Sequence, residues 1–140
     1  MINSIINEHE FEYITKLLFC LLAGLMIGSE RESRGKAAGI STHTFVIAGS
    51  MTFTLLSMYM DPSSPARIAA QIVSGIGFLG AGIILKREEG RIVNLTTAAS
   101  IWFSSSIGMM IGFKWYISSL LAVLFAVIVF KIPTMPRKNE

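Results

Sequence analysis

Apolar positions along this chain are not scattered as they would be for a globular core; they run together in long uncharged stretches. Thr44 to Met60 holds 17 consecutive residues without Asp, Glu, Lys or Arg, Ile68 to Leu85 holds 18, Leu95 to Phe113 holds 19 and Trp115 to Phe130 holds 16. A helix rises about 1.5 Å per residue, so roughly 20 such residues cross the ~30 Å hydrocarbon layer of a bilayer. A first run, Leu17 to Ser29, has only 13 residues. It reaches spanning length by taking in Phe11, Tyr13, Ile14 and Lys16. Glu12 and Lys16 are four apart in the favourable order and can pair on one face, and Lys16 can also snorkel to the nearer interface. The pattern predicts helices over 11–29, 43–60, 66–85, 95–112 and 115–132. That is an all-α polytopic membrane fold, one transmembrane domain over 1–140 with no soluble domain.

Local punctuation agrees. Asp61-Pro62 ends the second span. Ser64 is placed to cap the third, with Pro65 at its first helical position. Asn94 can cap the fourth, Ser41 or Thr42 the second, and Gly90 turns the loop between Lys86 and Asn94. Short linkers make successive helices antiparallel neighbours. A cleaved signal peptide is excluded, because Glu8, Glu10 and Glu12 occupy the place of a basic leader and no A-x-A site follows.

Composition narrows the class further. The chain has 140 residues, 52% of them hydrophobic, a mean hydropathy of +0.60 and only 15% charged residues, against about 25% in soluble domains. A soluble enzyme, a disordered tail and a secreted disulfide scaffold are excluded. Cys20, the single cysteine, leaves no intrachain disulfide. The net charge of +3 is distributed unevenly. Arg31, Arg34, Lys36, Lys86, Arg87, Arg91, Lys131, Arg137 and Lys138 fall on one side of the spans; Lys16, Arg67 and Lys114 fall on the other. The excess of Lys and Arg in cytoplasmic loops puts the first set inside, the N-terminus outside and the C-terminus in the cytoplasm. Tyr13, Tyr59, Trp115 and Tyr116 mark the outer interface. The basic balance is therefore topology, with the lipid bilayer as partner and no nucleic acid.

In lipid, helices associate through close packing of small residues. Gly24 and Gly28 form a GxxxG in the first span, and Gly108 and Gly112 another in the fourth, extended through Thr97, Ser100 and Ser104. The third carries Ala70, Ser74, Gly77 and Ala81, together with Gly75, Gly80 and Gly82. These faces predict helices 1, 3 and 4 at the tight centre and helix 5 toward lipid. Gly75-Ile-Gly-Phe-Leu-Gly80 matches the dinucleotide fingerprint in letters only, since no strand precedes it and its glycines lie mid-span.

Spans 2 to 5 carry no charged residue at depth, and Gln71, Ser74 and scattered hydroxyls are the deepest polar groups. Charge gathers at the edges. Glu30, Arg31 and Arg34, with Thr42 and His43 opening the next helix, predict a partly buried polar cluster at the inner edge. Glu32 and Lys36 read as solvated. Asp61 and Arg67 form an outer-edge pair above Gln71 and Ser74. His9 and His43 lie on opposite sides, so no metal site is predicted. Ser41-Thr42-His43 is too local for a triad, and no catalytic residue or cofactor is assigned.

The motifs Gly24-Leu-Met-Ile-Gly-Ser-Glu-Arg-Glu, Gly35-Lys-Ala-Ala-Gly-Ile-Ser-Thr-His43, Asp61-Pro62, Arg67-Ile-Ala-Ala-Gln-Ile-Val-Ser-Gly-Ile-Gly-Phe-Leu-Gly-Ala-Gly82, Thr96-Thr-Ala-Ala-Ser-Ile-Trp102 and Ile107-Gly108, in order over residues 20 to 112, resemble the MgtC/SapB membrane family. The resemblance implies a bacterial inner-membrane protein tied to growth or survival at low magnesium, virulence-associated in some members. It carries over to Glu30, Arg31, Gly35, Thr42, His43, Arg67, Gln71, Gly75, Gly77, Gly80, Thr97 and Trp102. Many members continue into a cytoplasmic C-terminal domain, whereas this chain stops at Glu140, as a short form or a truncation. Two roles are open. One is a non-enzymatic protein that modulates other membrane proteins, with a homodimer as one arrangement. The other is a transporter or channel for Mg²⁺ or another cation. Mg²⁺ is normally held by carboxylates with retained water, and intramembrane carboxylates mark ion paths; their absence at depth favours the first role.

Overall fold

A computed structural model of the chain describes residues 8–86 and 92–133. It contains five helices, α1 (Glu8–Ser33), α2 (Ile40–Met60), α3 (Ala66–Ile83), α4 (Leu95–Gly112) and α5 (Tyr116–Lys131). A two-residue ribbon joins α3 to α4, with β1 (Leu85–Lys86) antiparallel to β2 (Ile92–Val93). Gly90, Arg87 and Arg91, expected in the turn between them, and Arg137 and Lys138 of the tail lie outside the described residues.

The helix boundaries follow from local chemistry. Acidic Glu8 and Glu10 open α1, where the helix dipole favours negative charge. The Glu30–Arg34 pair at its far end lets α1 run on to Ser33, past the predicted Ser29. Gly35, at φ +62°, then turns the chain. α2 starts three residues earlier than predicted, because Glu32 Oε1 accepts the Ile40 N–H at 2.9 Å. Neither Ser41 nor Thr42 caps it; both lie inside the helix. Pro65 holds the cap position of α3 rather than its first turn, and its carbonyl accepts the Ser57 hydroxyl. Asn94 stands at the cap position of α4 in the left-handed region, at φ +65°, with no side-chain cap bond. Its amide donates to the Ile83 carbonyl instead, at 3.3 Å.

α2 is the centre of the bundle. It packs most extensively against α4 and α1, and α3 and α5 lie outside. This corrects the expected centre of helices 1, 3 and 4. α1 and α2 are antiparallel, with Gly24 against Thr44 and Gly28 against Ile40. α2 and α4, not successive in sequence, run parallel. His43 meets Ser104, Gly108 sits on Ile47 and Ser50, and Gly112 on Thr54 and Met51. Side chains at Gly24, Gly28, Gly108 or Gly112 would run into the α2 backbone or side chains, so these four glycines set the helix spacing. The expected role of the α3 glycines is different here. At Gly75, Gly77 and Gly82 an added Cβ would meet nothing within 4 Å, and at Gly80 only Ala98, at 3.7 Å. α3 buries just Ala69, Ile72, Ile76 and Gly80, and its Ala70, Ser74, Gly77 and Ala81 stripe faces outward.

The distribution of polarity is inverted relative to a water-soluble domain. Phe45, Phe78, Ile117 and Leu121 are among many large apolar side chains on the surface, while Ser50, Thr54, Thr97, Ser104 and the charged Lys16 and Arg31 are buried. By length and composition alone, α1 and α3 are long and apolar enough to cross a membrane, and α5 is a shorter apolar helix.

Candidate functional site

The residues expected to form one inner-edge cluster are dispersed over three environments. Glu30, in the last turn of α1, and Arg34, just past its end, form a pair at 2.7 Å at the exposed end of the helix. Arg31 points the other way. It is 3% exposed, its Nη2 donates to Thr97 Oγ1 of α4 at 2.8 Å, and its guanidinium lies 4.6 Å above the Phe130 ring of α5, a cation–π distance. Arg31 Nε is buried and has no hydrogen-bond partner. His43 is completely buried and shares a 2.8 Å hydrogen bond between Nδ1 and Ser104 Oγ, while its Nε2 has no partner. Thr42 is half-buried in the first turn of α2.

The same end of the bundle holds a cavity of about 720 Å³ between the end of α1, the start of α4 and the end of α5. Arg31, Arg34 and Lys36 line it, with Thr96, Thr97 and Phe130. Lys36, read from sequence as simply solvated, therefore belongs to this site. Its position could not be found from spacing, because the turn at Gly35 lies between it and α1.

At the opposite end, Asp61 and Arg67 pair at 3.3 Å. Asp61 Oδ1 also accepts the Ser63 hydroxyl and the Ser64 N–H, at 2.7 and 3.2 Å, so the carboxylate staples its own loop. Gln71 and Ser74 are exposed on α3. Gln71 borders an apolar groove of about 450 Å³ between α2 and α3, with Phe45, Phe53 and Leu79. None of these four residues approaches the inner-edge cavity.

A second buried charge was not expected. Lys16 is fully buried rather than snorkelling. Its Nζ meets Glu12 Oε1 at 2.7 Å and donates to the Gly112 carbonyl at 2.9 Å, where the C-terminal end of α4 favours a cation. Glu12 Oε2 also takes Lys114 Nζ at 3.0 Å. The hydrogen bond that Lys114 donates to Glu12, and the charge of that carboxylate, hold Lys114 above the usual lysine range. This lock ties α1 to the α4–α5 turn. The i, i+4 spacing of Glu12 and Lys16 was its one signal in the sequence. Among the described residues no three His, Cys, Asp or Glu side chains gather as a metal site.

Comparison with known proteins places this geometry in context. The profile of the MgtC family matches residues 17–136. The chain is 47% identical over 114 residues to "Protein MgtC" of Salmonella typhimurium, covering 81% of this chain and 49% of that protein. It is 45% identical over 117 residues to "Putative magnesium transporter YhiD" of Escherichia coli K12, covering 75% of this chain and 53% of the relative. It is also 45% identical over 109 residues to "Protein MgtC" of Brucella abortus, with 77% and 45% covered. The chain thus spans about half the length of the curated relatives it matches. No solved structure matches it.

Proposed function

The chain belongs to the MgtC family, and from that premise we propose that it is an integral protein of the bacterial inner membrane that serves adaptation to low magnesium by modulating other membrane proteins. The observation that carries the membrane part is the inverted polarity: large apolar side chains face out and hydroxyl, lysine and arginine groups face in. In hydrocarbon an unpaired polar group costs several kcal/mol, so polar side chains turn toward partners inside the bundle. All five helices then cross the bilayer. α2 and α4 carry buried hydroxyls that are satisfied within their own helices, such as Thr54 on the Ser50 carbonyl and Ser100 on the Thr97 carbonyl. With Arg31, Arg34 and Lys36 facing the cytoplasm, the N-terminus lies outside and the C-terminus inside.

A modulating role, without catalysis or a resident cofactor, is supported by the state of the carboxylates. Glu12, Glu30 and Asp61 sit toward the ends of the bundle and are each taken by a cation of the same chain, and Glu32 is taken by a backbone N–H. A path for Mg²⁺ needs oxygen ligands along its length, and the interior between α1, α2 and α4 is instead filled by Ile27, Ile47, Met51, Ile107 and Ile111. The partners are accordingly other membrane proteins or a second copy of the chain. Purified protein in liposomes is expected to show Mg²⁺ entry no faster than empty vesicles, while the gene restores growth of a deletion strain at low magnesium. Saturable Mg²⁺ uptake that disappears in Gln71→Leu or Asp61→Asn would reverse the assignment in favour of transport.

A further inference from the structure

We propose that the cavity at the inner end of the bundle is a binding site for a phosphate group, carried by an anionic lipid headgroup or present as free phosphate. Four features meet there. First, three cations, Arg31, Arg34 and Lys36, line the cavity, and no Asp or Glu does so among the described residues. Glu30, the carboxylate paired nearby, is already held by Arg34. Second, α4 begins at the cavity, with Asn94, Leu95, Thr96 and Thr97 on its wall. The first N–H groups of a helix have no partner within it and carry a partial positive charge, which makes this end an anion site. A capping side chain would normally occupy it, but the Asn94 amide has turned away to the Ile83 carbonyl.

Third, Arg31 is buried and not neutralised. No carboxylate lies within ion-pair distance of it among the described residues, and its Nε lacks any acceptor. A buried guanidinium donor left without an acceptor is unfavourable by more than an ordinary hydrogen bond contributes. Thr97 holds one arm of the fork and Phe130 supports its face, which fixes the guanidinium at the cavity wall. The planar fork of arginine matches the oxygens of a phosphate. Fourth, the volume of about 720 Å³ lies within the range of small-molecule sites, ~300–1,000 Å³. Its remaining wall, formed by Val129, Ile132 and Pro133, is apolar. The inference is independent of whether the protein moves Mg²⁺.

The test uses the whole chain, purified in a neutral detergent. One arm titrates inorganic phosphate against chloride at matched ionic strength by calorimetry. The other measures retention of phosphatidylglycerol against phosphatidylcholine by native mass spectrometry. Binding of either phosphate-bearing probe over its control is expected, and the arm that responds identifies the source. Arg34→Gln combined with Lys36→Gln alters only exposed side chains, and it should weaken that binding about tenfold or more, the loss of charge-assisted hydrogen bonds. Arg31→Lys keeps the charge but removes the fork and should also weaken it about tenfold. If Arg31→Lys fails to fold, the Arg34→Gln/Lys36→Gln variant decides. Phosphate binding no better than chloride together with phosphatidylglycerol retention no better than phosphatidylcholine overturns the proposal, as does binding that the Arg34→Gln/Lys36→Gln variant leaves unchanged.

Discussion

Gly108→Ala and Gly77→Ala add the same methyl group to two glycines that sit in GxxxG-like spacing, and the structure gives them opposite consequences. At Gly108 the methyl would collide with the Ile47 carbonyl oxygen and would lie 2.8 Å from Ser50 Cβ and 2.9 Å from the Ile47 carbonyl carbon. Two of these three atoms are backbone, so the α2–α4 spacing must open. Overpacking of this kind costs about 1–3 kcal/mol, and each kcal/mol shifts the melting temperature by about 3–4 °C at this chain length. Because α2 also holds α1, the upper part of the range is expected, a fall of about 6–10 °C. At Gly77 the methyl meets nothing within 4 Å, and alanine is the better helix former by about 1 kcal/mol in soluble hosts. The melting temperature of Gly77→Ala should stay within about 3 °C of the parent or rise. Thermal unfolding in one detergent, followed by circular dichroism, compares the two directly. Equal destabilisation by both variants would refute the placement of α2 at the centre and of the α3 small-residue face on the outside.

Other expectations follow from the buried polar contacts and the charge distribution. Glu12→Gln leaves Lys16 charged and buried against the Gly112 carbonyl, a loss of about 3 kcal/mol; adding Lys16→Met should recover part of it, and additive losses in melting temperature would contradict a coupled lock. Ser104→Ala removes the partner of His43 Nδ1 inside the bundle and should cost about 1–3 kcal/mol. Ser106→Ala removes only a hydroxyl bonded to the Phe103 carbonyl of its own helix and should be near neutral in the same assay. In a Cys20→Ala background, a cysteine at Ser63 should react with an impermeant thiol reagent in intact cells, and one at Lys36 only after the membrane is opened. Reaction at Lys36 from outside would invert the topology.

Much of the architecture is written in the order of residues. The uncharged runs and the punctuation around Asp61-Pro62, Pro65 and Asn94 locate five helices, with ends displaced by a few residues. The early start of α2 has a local cause that spacing does not reveal, since Glu32 reaches eight residues ahead to Ile40; Asn94 keeps the predicted start of α4 but bonds back to α3 instead of capping. Pairs four apart in the chain, Glu12–Lys16 within α1 and Glu30–Arg34 at its end, were also legible, because helical spacing brings such positions together.

What the sequence could not decide is which face meets which. A small-residue stripe shows that a helix surface allows close approach, but it does not name the neighbour, and in an apolar surrounding no hydrophobic gradient distinguishes inside from outside. The α1 and α4 glycines and the α3 glycines look alike on paper, yet only the first group touches α2. Arg31 and Arg34 are three residues apart in the chain, but one is buried under Thr97 and Phe130 while the other stays at the surface. That difference depends on where the first turn of α4 and the last turn of α5 come to rest. The inner cavity, with Lys36 on its wall, exists only because three helix ends, Ser33 of α1, Leu95 of α4 and Lys131 of α5, are brought to one corner by tertiary packing.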